Sequence, residues 1–218
     1  MPNISVGTLG SWSLIIGPVL AVVCYLIQPG VMLIEPADPS NARETIRALM
    51  GNPTLSQITA MLIPLGLIMF LFGMNVIGSS VTGNGEGLYR YGGQLFLIAI
   101  VGWTIGSALN GAIGGMTGPQ AGAVAGAVYA VGDAIGTIAG IVGAIGVICY
   151  GLALSARDGF NRNAALIVAL AALVALVTTV WGAMDSSFRE TGTMIGGIFF
   201  VIASAWSVML GLGLRKSA

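Results

Sequence analysis

Histidine is absent from this 218-residue sequence, Lys and Arg together number eight, Asp and Glu eight, and cysteine occurs twice. Each scarcity excludes a chemistry. Without histidine there is no Ser/His or Cys/His catalytic pair, no imidazole metal ligand and no histidine-held haem or chlorophyll in the chain. A formal net charge of zero supplies neither a nucleic-acid footprint nor a polybasic patch for anionic lipid. Cys24 and Cys149 each lie inside an apolar run, which is neither a disulfide framework nor a metal-ligand spacing, so both read as small buried thiols. No cofactor and no metal is expected, and no catalytic residue.

What is present is oil. Apolar residues make up 56% of the sequence and charged ones only 7%, too little polar surface for a water-soluble globule. A bilayer core of roughly 30 Å takes about 20 apolar residues of helix, and in lipid the backbone must satisfy its own hydrogen bonds. Windows of that kind predict six spans, near Trp12 to Ile34, Leu55 to Ser80, Gly92 to Met116, Ala121 to Leu154, Ala164 to Met184 and Thr193 to Leu214. The expected fold is an all-α, polytopic membrane bundle forming a single transmembrane domain over residues 1–218. Met1 to Ser11 carries no Lys or Arg, so the first span is expected to stay as an anchor rather than to be removed as a signal. The Asn3-Ile4-Ser5 tripeptide fits a glycosylation acceptor but is a frequent chance match, and it is set aside.

Arg90, Arg157, Arg162, Arg215 and Lys216 fall on the side of the two termini and Arg43, Arg47 and Arg189 on the other, a bias that predicts cytoplasmic termini in a multi-pass protein of the cell membrane. The connection from Glu35 to Thr54 predicts one short interfacial helix. Asn41 and Glu44 have capping-box spacing, Ala42, Ile46, Leu49 and Met50 share a face, and Gly51, Asn52 and Pro53 stop it. It either seals the rim of the bundle or docks a partner. Pro18 and Pro64 predict kinks inside the first two spans, and Pro29 with Gly30 predicts unwinding at the end of the first.

Glycine is abundant, at 34 residues, and it is patterned. Gly102, Gly106, Asn110, Gly114 and Gly118 recur every four residues on the third span, and Gly132, Gly136, Gly140 and Ala144 do so on the fourth. Close helix packing, most simply of one ridge against the other, is the expected use. The fourth span is longer than a bilayer core requires, so it tilts, protrudes or contains a short re-entrant piece among the glycines between Gly114 and Gly126.

Asp133 is the one carboxylate well inside an apolar segment. Intramembrane acids commonly line an ion path or proton relay; the alternative is an interface-level aspartate held by Asn110, Thr104 or an outer arginine. Gly132-Asp133 supplies half of an intramembrane aspartyl-protease motif, but no second catalytic aspartate occurs in another span. The stretch from Ala156 to Gly159 lacks the further carboxylates of a metal-dependent headgroup transferase. Asn75, Gln94, Thr178 and Thr179 are embedded without an evident ligand set, and Asp185, Arg189 and Glu190 are placed to pair with Arg43, Glu44 or Arg47.

Two functional expectations follow. The first is a non-catalytic accessory subunit that meets lipid and other integral membrane subunits and no nucleic acid. The second is a small transporter or channel whose path uses Asp133 and Asn110. A polar cavity reaching Asp133 favours the second; a dry bundle favours the first.

Overall fold

The computed structural model describes residues 5–217; Asn3 and the first residues of the amino-terminal segment lie outside them. Seven α-helices account for nearly all of the fold: α1 (Val6–Ile27), α2 (Ala42–Gly51), α3 (Pro53–Gly78), α4 (Glu86–Gly114), α5 (Ala121–Ser155), α6 (Arg162–Met184) and α7 (Arg189–Ser217). All but α2 are long and apolar enough to cross a membrane, and no strand occurs among the described residues. The chain is a multi-pass membrane protein. Its outer faces carry large apolar side chains such as Met61, Ile138, Ile167 and Leu170, each more than half exposed, as contact with lipid requires.

Local chemistry sets the ends. Ser5 caps α1 by accepting from the Thr8 amide at 3.1 Å. Pro29 disfavours helical geometry at Gln28, which is extended at φ −61°, ψ 129°, and α1 ends at Ile27. The expected first span therefore stops seven residues earlier than hydropathy predicts, because Gln28 to Ile34 is apolar but turned. The short helix α2 falls where it was expected. The Asn41 side chain accepts no backbone N–H of the helix; instead its Nδ2 donates to the Glu44 carboxylate at 2.7 Å. Pro53 takes the first position of α3, where its missing N–H costs nothing. Gly85, at φ +85°, starts α4 in a left-handed turn only 2.9 Å from where a Cβ would meet the Ala153 carbonyl, so both conformation and space demand glycine. The segment before α5 is a plain turn, and α5 is one continuous helix of 35 residues, about 52 Å long. The re-entrant alternative is thereby removed, leaving a helix that tilts or protrudes.

The six long helices form a closed ring in chain order: α1 packs on α3, α3 on α4, α4 on α5, α5 on α6, α6 on α7, and α7 returns to α1. Alternating directions place both termini at one end, the terminal end, and α2 at the other. The terminal half is solid. Leu14, Met74, Tyr150 and Leu154 are fully buried there among Tyr89, Val168 and Leu210. Arg157 reaches across this end to the carbonyls of Ser80 and Thr82, tying the α5–α6 loop to the α3–α4 loop.

The prolines fit this ring without breaking it. Pro18 has no N–H to give the Leu14 carbonyl one turn back, and Ser207 of α7 supplies the missing donor at 2.7 Å. Ser11 bonds the Gly211 carbonyl at 2.8 Å and Ser204 the Pro18 carbonyl at 3.3 Å, so three serine hydroxyls stitch the α1–α7 seam. Next to Pro18 and two residues after Pro64, Gly17 and Gly66 bring α1 and α3 into backbone contact; a Cβ on Gly17 would sit 2.6 Å from the Gly66 oxygen.

Candidate functional site

Toward α2 the same helices enclose a cavity of about 410 Å³. Its wall changes character along the bundle axis. On the side of the terminal half it is aromatic: Phe70 meets Phe96 at 5.1 Å between ring centres, Phe96 meets Trp103 at 5.9 Å, and Trp103 meets Phe200 at 6.0 Å, all edge-on. Because α4 and α7 are opposite in the ring, the Trp103–Phe200 contact bridges the bore, and the lining continues past it to Val147 and Trp206. Tyr25 continues the row from α1, 5.6 Å from Phe200.

On the α2 side the wall is polar. Asp133 of α5 and Arg189 of α7 form an ion pair, with side chains 35% and 31% exposed, so the charges are shared with the cavity rather than sealed in protein. Arg189 is the first residue of α7, and Asp133 is therefore paired with the start of that helix, beside the α6–α7 turn. Of the partners considered for it, the outer arginine is the one found. Asn110 lines the cavity but makes no hydrogen bond within the described residues, while Thr104 is outside the lining. Tyr129, one turn before Asp133 on the same face of α5, stands beside Thr45 of α2 and near the ion pair. Gln28 also lines the cavity; it is 4% exposed and its Nε2 has no hydrogen-bond partner.

Helix α2 makes this arrangement possible. Ile46 and Leu49 pack on Ile113 and Ala125, filling the side of the projecting α4–α5 hairpin, and that turns Thr45 toward Tyr129. Arg43 and Arg47 lie on its exposed face. Outside the membrane-spanning segments, the Asp38 carboxyl is held below the usual carboxylate range by the hydroxyl and amide of Ser40, and that of Asp185 by those of Ser187. Asp185 thus caps the turn before α7 and does not join Arg43 or Arg47.

The glycine ridges divide between two uses. Gly102 faces Ala139, 2.7 Å from where its Cβ would be, and Gly106 and Gly132 meet across the same α4–α5 seam at 3.5 Å. Gly114 instead faces Ser56 of α3, at 2.7 Å. Gly136 has nothing within 4 Å and Gly140 only Thr179 at 3.8 Å, and both line the cavity. Their missing side chains are the space itself.

Thr178 and Thr179 also line the cavity, whereas Asn75 and Gln94 face outward. Tyr25, Gln28, Tyr129, Thr137 and Arg189 complete the polar wall without having been singled out from sequence as site residues. The signal for part of it was present: Tyr129, Asp133, Gly136, Thr137 and Gly140 share one face of α5, and the polar members cluster at one end. Among the described residues no group of three Cys, Asp or Glu is gathered as a metal-ligand set. Cys24 and Cys149 are buried and free. In comparisons with known proteins, the chain matches no family model, no curated sequence and no solved structure.

Proposed function

We propose that the protein is a small membrane carrier that binds a solute in the central cavity, reached from the α2 end, and moves it across the bundle. The observation that carries this reading is the cavity: a space of about 410 Å³ inside the helix ring, with Asp133, Arg189 and Asn110 on its wall and a row of aromatic rings deeper in. Cavities of some hundreds of Å³ with a few convergent polar groups are the usual form of a small-molecule site. The proline and glycine pairs of α1 and α3 offer a place where those helices can re-pack. The excess of Lys and Arg at the terminal end supports cytoplasmic termini, which would open the cavity to the outside of the cell membrane. No bond-making chemistry is assigned to the site.

The accessory-subunit reading rests on the lack of catalytic residues, the near absence of mass outside the helices and the small-residue ridges, all of which a carrier of this size shares. It does not account for the cavity. Proteoliposomes holding the purified chain and a trapped pH indicator test the proposal against a panel of small solutes. The expected result is solute- and pH-dependent flux that is abolished by Asp133→Asn; flux unchanged by the substitution, or no flux from the parent protein with any solute, overturns the reading. Recovery from mild detergent in constant proportion with other integral membrane chains would restore the subunit reading in its place.

A further inference from the structure

We infer that the cavity takes a zwitterionic small molecule with an apolar body, its carboxylate received by Arg189 and its ammonium group by Asp133. The inference rests on the carrier reading to the extent that both use this cavity. The charge argument comes first. Asp133 and Arg189 neutralise each other and are both partly open to the cavity. A ligand bearing a single charge would satisfy one of them and leave the other unpaired in a low-dielectric space, which is the costly outcome for a buried ion pair. A ligand bearing both charges inserts between the two and leaves none uncompensated, with each new contact a charge-assisted hydrogen bond.

Two further groups at the same end point the same way. Gln28 is 4% exposed and its Nε2 is a donor without an acceptor, which a folded protein rarely tolerates unless something else supplies one. A carboxylate, with two oxygens and about four lone-pair sites, has acceptor capacity to spare after meeting Arg189. The unbonded amide of Asn110 lines the wall on the α4 side, and its oxygen is free to accept from an ammonium group. Beyond this polar tier the wall includes Trp103, Phe200 and Phe96, which offer ring edges and faces to an apolar or aromatic body, while the Ser204 and Thr178 hydroxyls there already donate to the Pro18 and Ala175 carbonyls. Polar head and oily body are therefore both specified, at opposite ends of one cavity.

Binding to the full-length protein in lipid nanodiscs, read by calorimetry and by tryptophan fluorescence, tests the class with five probes. Phenylalanine carries both charges and a ring, phenethylamine only the cation, 3-phenylpropionate only the anion, 2-phenylethanol neither, and glycine both charges without the ring. Phenylalanine is expected to bind at least about tenfold more tightly than each of the other four. The double variant D133N/R189Q, which strands no charge and so preserves the fold, is expected to lose that preference while keeping its helical circular dichroism. The inference is overturned if phenylalanine does not bind, if any of the other four binds as tightly, or if the double variant retains the preference. Vesicle uptake separates the two readings: phenylalanine that binds with the stated preference but is never accumulated would sink the carrier and leave the ligand class standing.

Discussion

The terminal half and the α2 half of the ring are built from the same six helices and the same small residues, yet one is solid and the other hollow. In the solid half Gly92 and Gly151 face backbone. A Cβ on Gly151 would stand 2.6 Å from the Ala165 carbonyl, and one on Gly92 2.9 Å from the Gly146 carbonyl. In the hollow half Gly136 and Gly196 line the cavity and meet nothing within 4 Å. Glycine therefore does not by itself mean close packing; its effect depends on whether the facing helix also carries a small residue at that level or stands back behind bulky ones. Here Trp103 and Phe200 meet between α4 and α7, and the glycines on the α2 side of them leave the space unfilled.

The comparison breaks most visibly at Gly151. An added methyl would press on the Ala165 carbonyl and on the Ala169 Cβ at 2.8 Å, both attached to rigid helix backbone. Gly151→Ala is expected to destabilise the bundle by about 2–3 kcal/mol, since overpacking a filled seam forces helix displacement. Reversible unfolding in mixed micelles checks this, and a loss smaller than the error of that measurement would mean the terminal half is looser than described.

Next in size is Ser207→Ala. The Leu14 carbonyl, already without its helical donor because of Pro18, would lose the hydroxyl that replaces it at 2.7 Å. An unsatisfied buried acceptor costs about 1–3 kcal/mol. A companion Pro18→Ala substitution restores the helical N–H, so the pair should be non-additive: Ser207→Ala alone is costly, and Ser207→Ala in the Pro18→Ala background is nearly neutral. Equal losses in both backgrounds would show that the serine acts through packing and not through the proline's missing donor.

Tyr150→Phe runs in the opposite direction. The Tyr150 hydroxyl is buried without a partner, close to Gly93, while its ring packs at 4.8 Å on Tyr89. Removing the oxygen keeps the ring and relieves the desolvated group, so a gain of about 1 kcal/mol is expected. The neighbouring Tyr89→Phe is the control: its hydroxyl donates to the Met74 carbonyl, and its removal should cost rather than gain.

These contrasts also mark what could be read from sequence. The six spans were legible because lipid tolerates only continuous apolar helix, which makes hydropathy nearly sufficient for the number and order of the long helices, and α2 was legible from its own amphipathic spacing. The ends of the spans were read less well: α1 and α4 each start six residues before the expected span, and Gln28 to Ile34 failed where an apolar segment was turned by Pro29. The inward face of each helix was far less legible. In a soluble bundle the buried stripe is the oily one, but here the lipid-facing side of α5 carries Val131 and Ile138 while its cavity side carries Gly136 and Thr137, and hydropathy cannot rank the two as inside and outside. The pairing of Asp133 with Arg189 joins residues 56 positions apart across α6, and no spacing rule links them. Gln28 was hidden because it falls after the helix end, in the segment assigned to the span.

The smallest effect on stability is expected at Gly136, and it sharpens the comparison by being small. A methyl there has free space ahead of it, and alanine favours helix over glycine by about 1 kcal/mol, so Gly136→Ala should leave the unfolding midpoint unchanged or slightly raised. The same methyl occupies cavity volume beside Asp133, one turn along the same face of α5. Loss of phenylalanine binding with stability intact would assign the α5 glycines of the hollow half to the ligand and those of the solid half to the fold. A destabilised Gly136→Ala, comparable to Gly151→Ala, would instead mean that α5 closes on its neighbours in the membrane and that the two halves are packed alike.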